Sequence, residues 1–222
     1  VAKGAEWVKS ALLNAGCPHA EIIQTPGHPI VYGEHLLDLS LPTVLVYGHY
    51  DVQPADPIDL WDSPPFQPVI KNTVIHPDGA VFARGSCDDK GQMFMHIKAF
   101  EVMLSENTLD CNIKFMIEGE EEIGSPNLAA WAEKNEELLK ADGMHCLDGS
   151  METGTQVPDV SLGLKSVLFV ELIARGAKMD VHSLNFPLVE SPVWELIWAL
   201  NTILDRDRKI LVEGWEEGIW QL

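Results

Sequence analysis

The stretch TVLVYGHYDVQP, residues 43–54, decides how the chain reads. Thr43 to Tyr47 is rich in β-branched and aromatic residues and reads as a buried strand. The chain then turns at Gly48, presents His49, skips one residue and presents Asp51. A lone histidine after a strand is usually a satisfied surface or core residue, so His49 alone is a weak signal, but it and Asp51 fall at the strand's carboxyl end. In open α/β sheets that is where ligands bind.

Outward from this strand the pattern alternates. Residues Ala2 to Ala15 read as an amphipathic helix with Trp7, Val8, Leu12 and Leu13 inward, closed by Gly16 and Pro18. Gln53 to Pro68 is rich in proline and reads as a long loop. VIHPDGAVFARG reads as a hairpin turning at Pro77-Asp78-Gly79. Lys90 to Leu104 has Met93, Ile97, Phe100 and Leu104 at helical spacing, and Cys111 to Ile117 is a second buried strand. Pro126 to Lys140 reads as a helix with Ser125 as its N-cap, and Gly143 to Leu147 as a third strand. The expected fold is α/β, a mostly parallel sheet flanked by helices. Beyond Gly163 the pattern changes. SVLFVELIARG reads as a longer strand and Pro192 to Leu204 as a helix. The expected domains are residues 1–163 and, from Leu164, the start of an α+β domain covering 164–222.

Composition excludes some functions. The 222 residues are 46% hydrophobic and 22% charged, which suits a globular protein. No apolar run reaches the ~18 residues a membrane span needs. The net charge of −19, from 15 basic and 34 acidic residues, argues against nucleic acid and anionic membrane surfaces as partners. Cys17, Cys87, Cys111 and Cys146 form no CxxC pair, and reduced thiols in a cytoplasmic protein are expected, with an exported protein holding one or two disulfides as the alternative.

Acids gather at the ends of the strands. RGSCDDKG places Asp88 and Asp89 before the helix from Lys90. EGEEEIGS places Glu118, Glu120, Glu121 and Glu122 after the second strand, and Asp148 follows the third. Each has a plain structural reading: an N-cap pair, a solvated acidic loop, a surface acid. Together they would meet at one edge of the sheet, where mutual repulsion favours protonation unless cations intervene. One imidazole among carboxylates suits zinc, manganese or cobalt better than magnesium or calcium.

GHYDVQP, RGSCDDKG and EGEEEIGS, in that order, resemble the M20 family of metallopeptidases, most closely its dipeptidase and carboxypeptidase-like branch. The resemblance runs from about Thr43 to about Gly214. It implies a zinc-peptidase-like catalytic domain holding two divalent ions, zinc first, with manganese or cobalt as alternatives. His49, Asp88, Glu122 and Asp148 match the family's metal ligands, with Asp88 bridging the two ions. Asp51 matches the carboxylate that orients the ligand histidine, and a cis peptide is expected after Asp88. Glu121 matches the general base, which works on a metal-bridging water, and Glu120 is the alternative if the register slips. His182, in MDVHSLNFPLVESP, matches a histidine of the lid or dimerisation domain that helps bind the substrate carbonyl. The loop after it departs from the glycine-rich form usual in the dipeptidases.

The implied activity is cleavage of the amide bond of dipeptides or short peptides, in a homodimer formed through the lid. N-acyl amino acid deacylation remains open on the same motifs, as does a non-catalytic metal-binding or dimerising role. The resemblance covers the front half of such an enzyme. The family's return segment, with a further metal-binding histidine, has no match here, and this truncated chain alone is expected to be inactive.

Overall fold

A computed structural model of the chain describes residues 1–149, 157, 161, 167–215 and 217. It divides into two compact units, Val1–Val160 and Ser161–Leu222. The expected boundary at 163/164 lies outside the described residues.

The first unit is organised by one strand buried along its whole length, β6 (Asn112–Glu118). Antiparallel pairing joins β6 to β2 (Ile30–His35) and β2 to β1 (His19–Ile23). On its other side β6 pairs in parallel with β3 (Thr43–His49), and β3 in parallel with β7 (Gly143–Cys146). The sheet order is therefore β1-β2-β6-β3-β7, a mixed sheet whose parallel half carries the motifs. A separate hairpin joins β4 (Val69–Lys71) to β5 (Ala80–Phe82), with Pro77, Asp78 and Gly79 in its connection.

Alternation along the strands sends side chains to two cores. Ile113, Phe115 and Ile117 of β6 and Val46 of β3 pack with α1 (Ala2–Asn14) and α2 (Lys90–Ser105). Those helices contribute Ala5, Val8 and Leu12, and Met93, Ile97 and Phe100. Met116 and Leu45 pack with Trp131 on α3 (Leu128–Lys134) and with Leu138 and Leu139 on α4 (Glu136–Leu139). Lys114, also in β6, donates to the carbonyls of Leu138 and Lys140 at 2.7 and 2.8 Å. It thereby satisfies carbonyls at the end of α4 that no helical N–H reaches.

Several local expectations change. The inward face of α1 is Ala5, Val8 and Leu12, whereas Trp7 and Leu13 are exposed. The predicted helix 126–140 is two short helices meeting at Asn135, with Asn127 rather than Ser125 at the N-terminus of the first. Ser125 has φ 49 and donates its hydroxyl to Glu118, so it is unavailable as a cap.

In the second unit α5 (Pro192–Ile203) begins with Pro192 after Ser191, as expected, and stacks Trp194 on Trp198. The strand expected over residues 166–176 is absent across its described part, 167–176. A strand exists through a ladder with a neighbour, and none of the described residues pairs with this segment. No helix among the described residues is long and apolar enough to cross a membrane.

Candidate metal centre

The parallel register brings the site together. His49, the last residue of β3, lies opposite Glu118, the last of β6, while β7 runs alongside β3 and leads to Asp148. Three strand ends therefore open on one edge, and the N-terminus of α2 brings Asp88 and Asp89 beside them.

His49 is fully buried and stands at the centre. Its Nε2 is 3.2 Å from Asp88 Oδ1 and 3.8 Å from both Glu121 Oε2 and Asp148 Oδ2. One ligand atom each from His49, Asp88 and Asp148 lies within 4.8 Å of the others. That donor set, one imidazole nitrogen and two carboxylates with a third close by, fits a divalent cation of the zinc type. The opposite ring nitrogen, Nδ1, is 3.2 Å from Asp51 Oδ1. Asp51 is nearly buried, and its Oδ2 accepts the backbone N–H of Glu122 at 3.0 Å. A carboxylate so anchored fixes the ring and directs Nε2 outward. The His49 main chain is also held, its N–H donating to Asp89 Oδ2 at 3.1 Å.

The electrostatics match a cation site. Burial alone would lower the His49 pKa. The Asp51 hydrogen bond and the charges of Asp89, Asp51 and Glu121 outweigh it and lift the imidazole to about 9. Burial raises Glu121, with the His49 charge opposing and Asp148 and Glu122 adding. Asp148 is raised by burial, against His49, with repulsion from Asp88 and Glu122. The imidazole, lifted to about 9, therefore holds a proton at neutral pH that a cation would displace. The peptide joining Asp88 to Asp89 is cis.

The remaining predicted residues are placed as follows. Glu122 accepts from the Gln53 backbone N–H at 3.0 Å and from its side-chain amide at 2.8 Å. It lies outside the cluster of His49, Asp88 and Asp148. Glu120 turns away, accepting the His28 N–H at 3.0 Å and the Asn127 amide at 2.8 Å. His182 lies in the second unit, where its Nδ1 accepts the Leu184 N–H at 3.1 Å. Sequence reading missed Gln53, the contact of Asp89 with His49, and the burial of Glu118 as the last residue of β6, where it accepts from Tyr47 and Ser125 at 2.7 and 2.9 Å. The Gln53 of DVQP was visible in the motif, but its partner lies 69 residues away.

Comparison with known proteins agrees with this geometry. Residues 45–214 match the family described as peptidase family M20/M25/M40. The chain belongs to that family. It is 34% identical over 202 residues to the Cys-Gly metallodipeptidase dug1 of Schizosaccharomyces pombe, covering 89% of this chain and 41% of the relative. It is 30% identical over 192 residues to the human Beta-Ala-His dipeptidase, covering 85% of this chain and 37% of that one. Among solved structures, the M20 family metallo-carboxypeptidase Sso-CP2 from Sulfolobus solfataricus superposes with TM-score 0.77 at 31% identity. That match covers 100% of this chain and 49% of that one. This M20 chain therefore spans half or less of the length of these relatives. All four of its cysteines are free thiols.

Proposed function

We propose that the protein is a metal-dependent hydrolase that cleaves the amide bond of dipeptides or short peptides. The observation that carries this is the meeting of His49, Asp88 and Asp148 with the Glu121 carboxylate at the ends of parallel strands. Dipeptidase names among the relatives support the substrate class. His49, Asp88, Glu122 and Asp148 would hold two divalent cations, zinc first. When bound, such ions supply positive charge that polarises an amide carbonyl and acidifies water.

The chain's own residues then divide the work. Asp51 holds the His49 ring so that Nε2 faces the carboxylates of Asp88 and Asp148. Asp89 fixes the main chain beneath it. Glu121 takes the proton of the attacking water and returns it to the leaving amine. Its burial and acidic neighbours raise its proton affinity, as a base that must also act as an acid requires. His182 contributes to binding the substrate carbonyl, and residues 164–222 belong to a lid through which two copies associate. The compartment proposed is the cytoplasm.

The test is metal content per chain together with hydrolysis of Cys-Gly and β-Ala-His by the protein at its natural length. Stoichiometric divalent metal and turnover lost on chelation are expected. Metal-free protein, or turnover that a chelator leaves intact, would sink the reading.

A further inference from the structure

Gln92 sits in the first turn of α2, 7% exposed, and takes no direct place among the proposed ligands. Its side-chain amide nitrogen donates twice. One hydrogen bond goes to the carbonyl of Cys87 at 2.6 Å, the other to the carbonyl of Gly149 at 2.9 Å. Cys87 immediately precedes Asp88, and Gly149 immediately follows Asp148. One buried amide thus ties together the two segments that carry the two carboxylates of the cluster. No other hydrogen bond between described residues joins those segments.

The orientation of the amide is informative. Two carbonyls face it, so the NH2 end must point toward them. Its Oε1 is buried and has no hydrogen-bond partner among the described residues. An amide chosen only to fill space would turn to satisfy both ends, because a buried unpaired oxygen is costly. Charge matters as well. Asp88 and Asp148 repel each other, and Asp88 raises the proton affinity of Asp148. A lysine or arginine could hold the segments but would neutralise the acids that a cation needs. A glutamine supplies two donors at fixed spacing and no charge.

We infer that Gln92 is a positioning residue, a neutral clamp that holds the Asp88 and Asp148 segments at the separation a divalent cation requires. The inference rests on the proposed metal centre. Without the clamp, repulsion spreads the two carboxylates, and ion binding must draw them back together. The loss therefore falls on metal affinity, while the ion-bound arrangement, once formed, is unchanged.

The experiment is titration of the metal-stripped protein, at its natural length, with Co2+ followed by its visible absorption. Gln92→Met keeps the length and volume of the side chain and removes both donors. Its Co2+ affinity is expected to fall roughly 10–100-fold, the usual cost of losing a partner behind a metal ligand. At saturation its spectrum should match the parent's. Gln92→Asn, one methylene shorter, reaches at most one carbonyl and should lie between the two, which keeps the test open if Gln92→Met folds poorly. Cys87→Ser preserves the carbonyl acceptor and should bind like the parent. Amide exchange should accelerate in residues 87–89 and 147–149 of the Gln92 variants without a matching change elsewhere, which a general loss of stability would not produce. If the parent binds Co2+ and both Gln92 variants bind it within about twofold of the parent, the clamp is wrong and the metal centre stands. If the parent itself binds no Co2+, the metal centre fails and the clamp with it.

Discussion

Three successive glutamates illustrate how much one residue of register decides. Glu120, Glu121 and Glu122 are identical in chemistry and face three different environments. Glu120 is buried and ties the segment before β2 to the start of α3 through His28 and Asn127. Glu121 faces His49, and Glu122 meets Gln53. Counting back from Gly124, which has φ +83 and so suits glycine, places the proposed base at Glu121. Glu121→Gln in the natural-length protein should therefore lower kcat by ~10²–10⁴-fold with metal content intact. Steady-state kinetics alongside metal analysis checks both halves, and normal kcat would remove Glu121 from the mechanism. Asp88→Ala should instead strip the metal, because Asp88 approaches His49 more closely than any other proposed ligand. Full metal content in that variant would refute its role. The motifs made His49, Asp51, Asp88 and Glu121 legible, since each sits in a short run of fixed spacing. The work of Glu120 was not legible, because its His28 partner is 92 residues away and belongs to no motif.

At the scale of elements, the signals that survived were long and periodic. β6 and α2 appear within a residue of where their patterns place them, β3 runs two residues past its expected end through Gly48 to His49, and the parallel order of β3 and β6 follows from alternation with helices. β1 and β2 escaped because strands of five and six residues, the second interrupted by Gly33, offer little periodicity. Close packing of these elements is itself testable. A Cβ on Gly48 would lie 2.9 Å from Asp89 Oδ2 and 3.3 Å from Met93. Gly48→Ala should push α2 off β3, costing ~1–3 kcal/mol by denaturant unfolding. A variant as stable as the parent would mean that the contact yields freely. The packing of α2 near β7 adds a pH effect. His96 of α2 meets His145 of β7 edge-on with centroids 4.8 Å apart, and its Nε2 is buried with no hydrogen-bond partner among the described residues. Burial, reinforced by the His145 charge, lowers the His96 pKa from 6.5 to about 4. The unfolded chain therefore binds more protons than the folded one between those values, and stability rises with pH across that window. His96→Phe keeps the ring contact and removes the titration. Its unfolding free energy should depend less on pH between about 4 and 6.5 than the parent's. Identical slopes would place the His96 titration elsewhere.

At the scale of the whole molecule, a net charge of −19 bears on folding as well as on partners. The surplus of acids was legible in composition, and so was its concentration at strand ends. The depth to which His49 is buried among those acids was not, because burial depends on how β6, β3 and α2 close around it. Divalent ions could stabilise such a protein in two ways. They could screen diffuse surface repulsion, as any salt does with a Debye length of ~8 Å at physiological ionic strength. They could also bind the native site and not the unfolded chain, adding RT ln(1 + [L]/Kd), about 2.7 kcal/mol at a hundred times Kd. The two are separable by thermal unfolding. Micromolar Zn2+ should raise the Tm of the natural-length protein, while NaCl at equal ionic strength should not, and Asp88→Ala should abolish the zinc increment without altering the response to NaCl. The small ionic strength of micromolar zinc leaves screening almost unchanged, so a rise at that concentration has to come from the site. A zinc increment that persists in Asp88→Ala would locate the binding elsewhere on the acidic surface and detach stability from the cluster around His49.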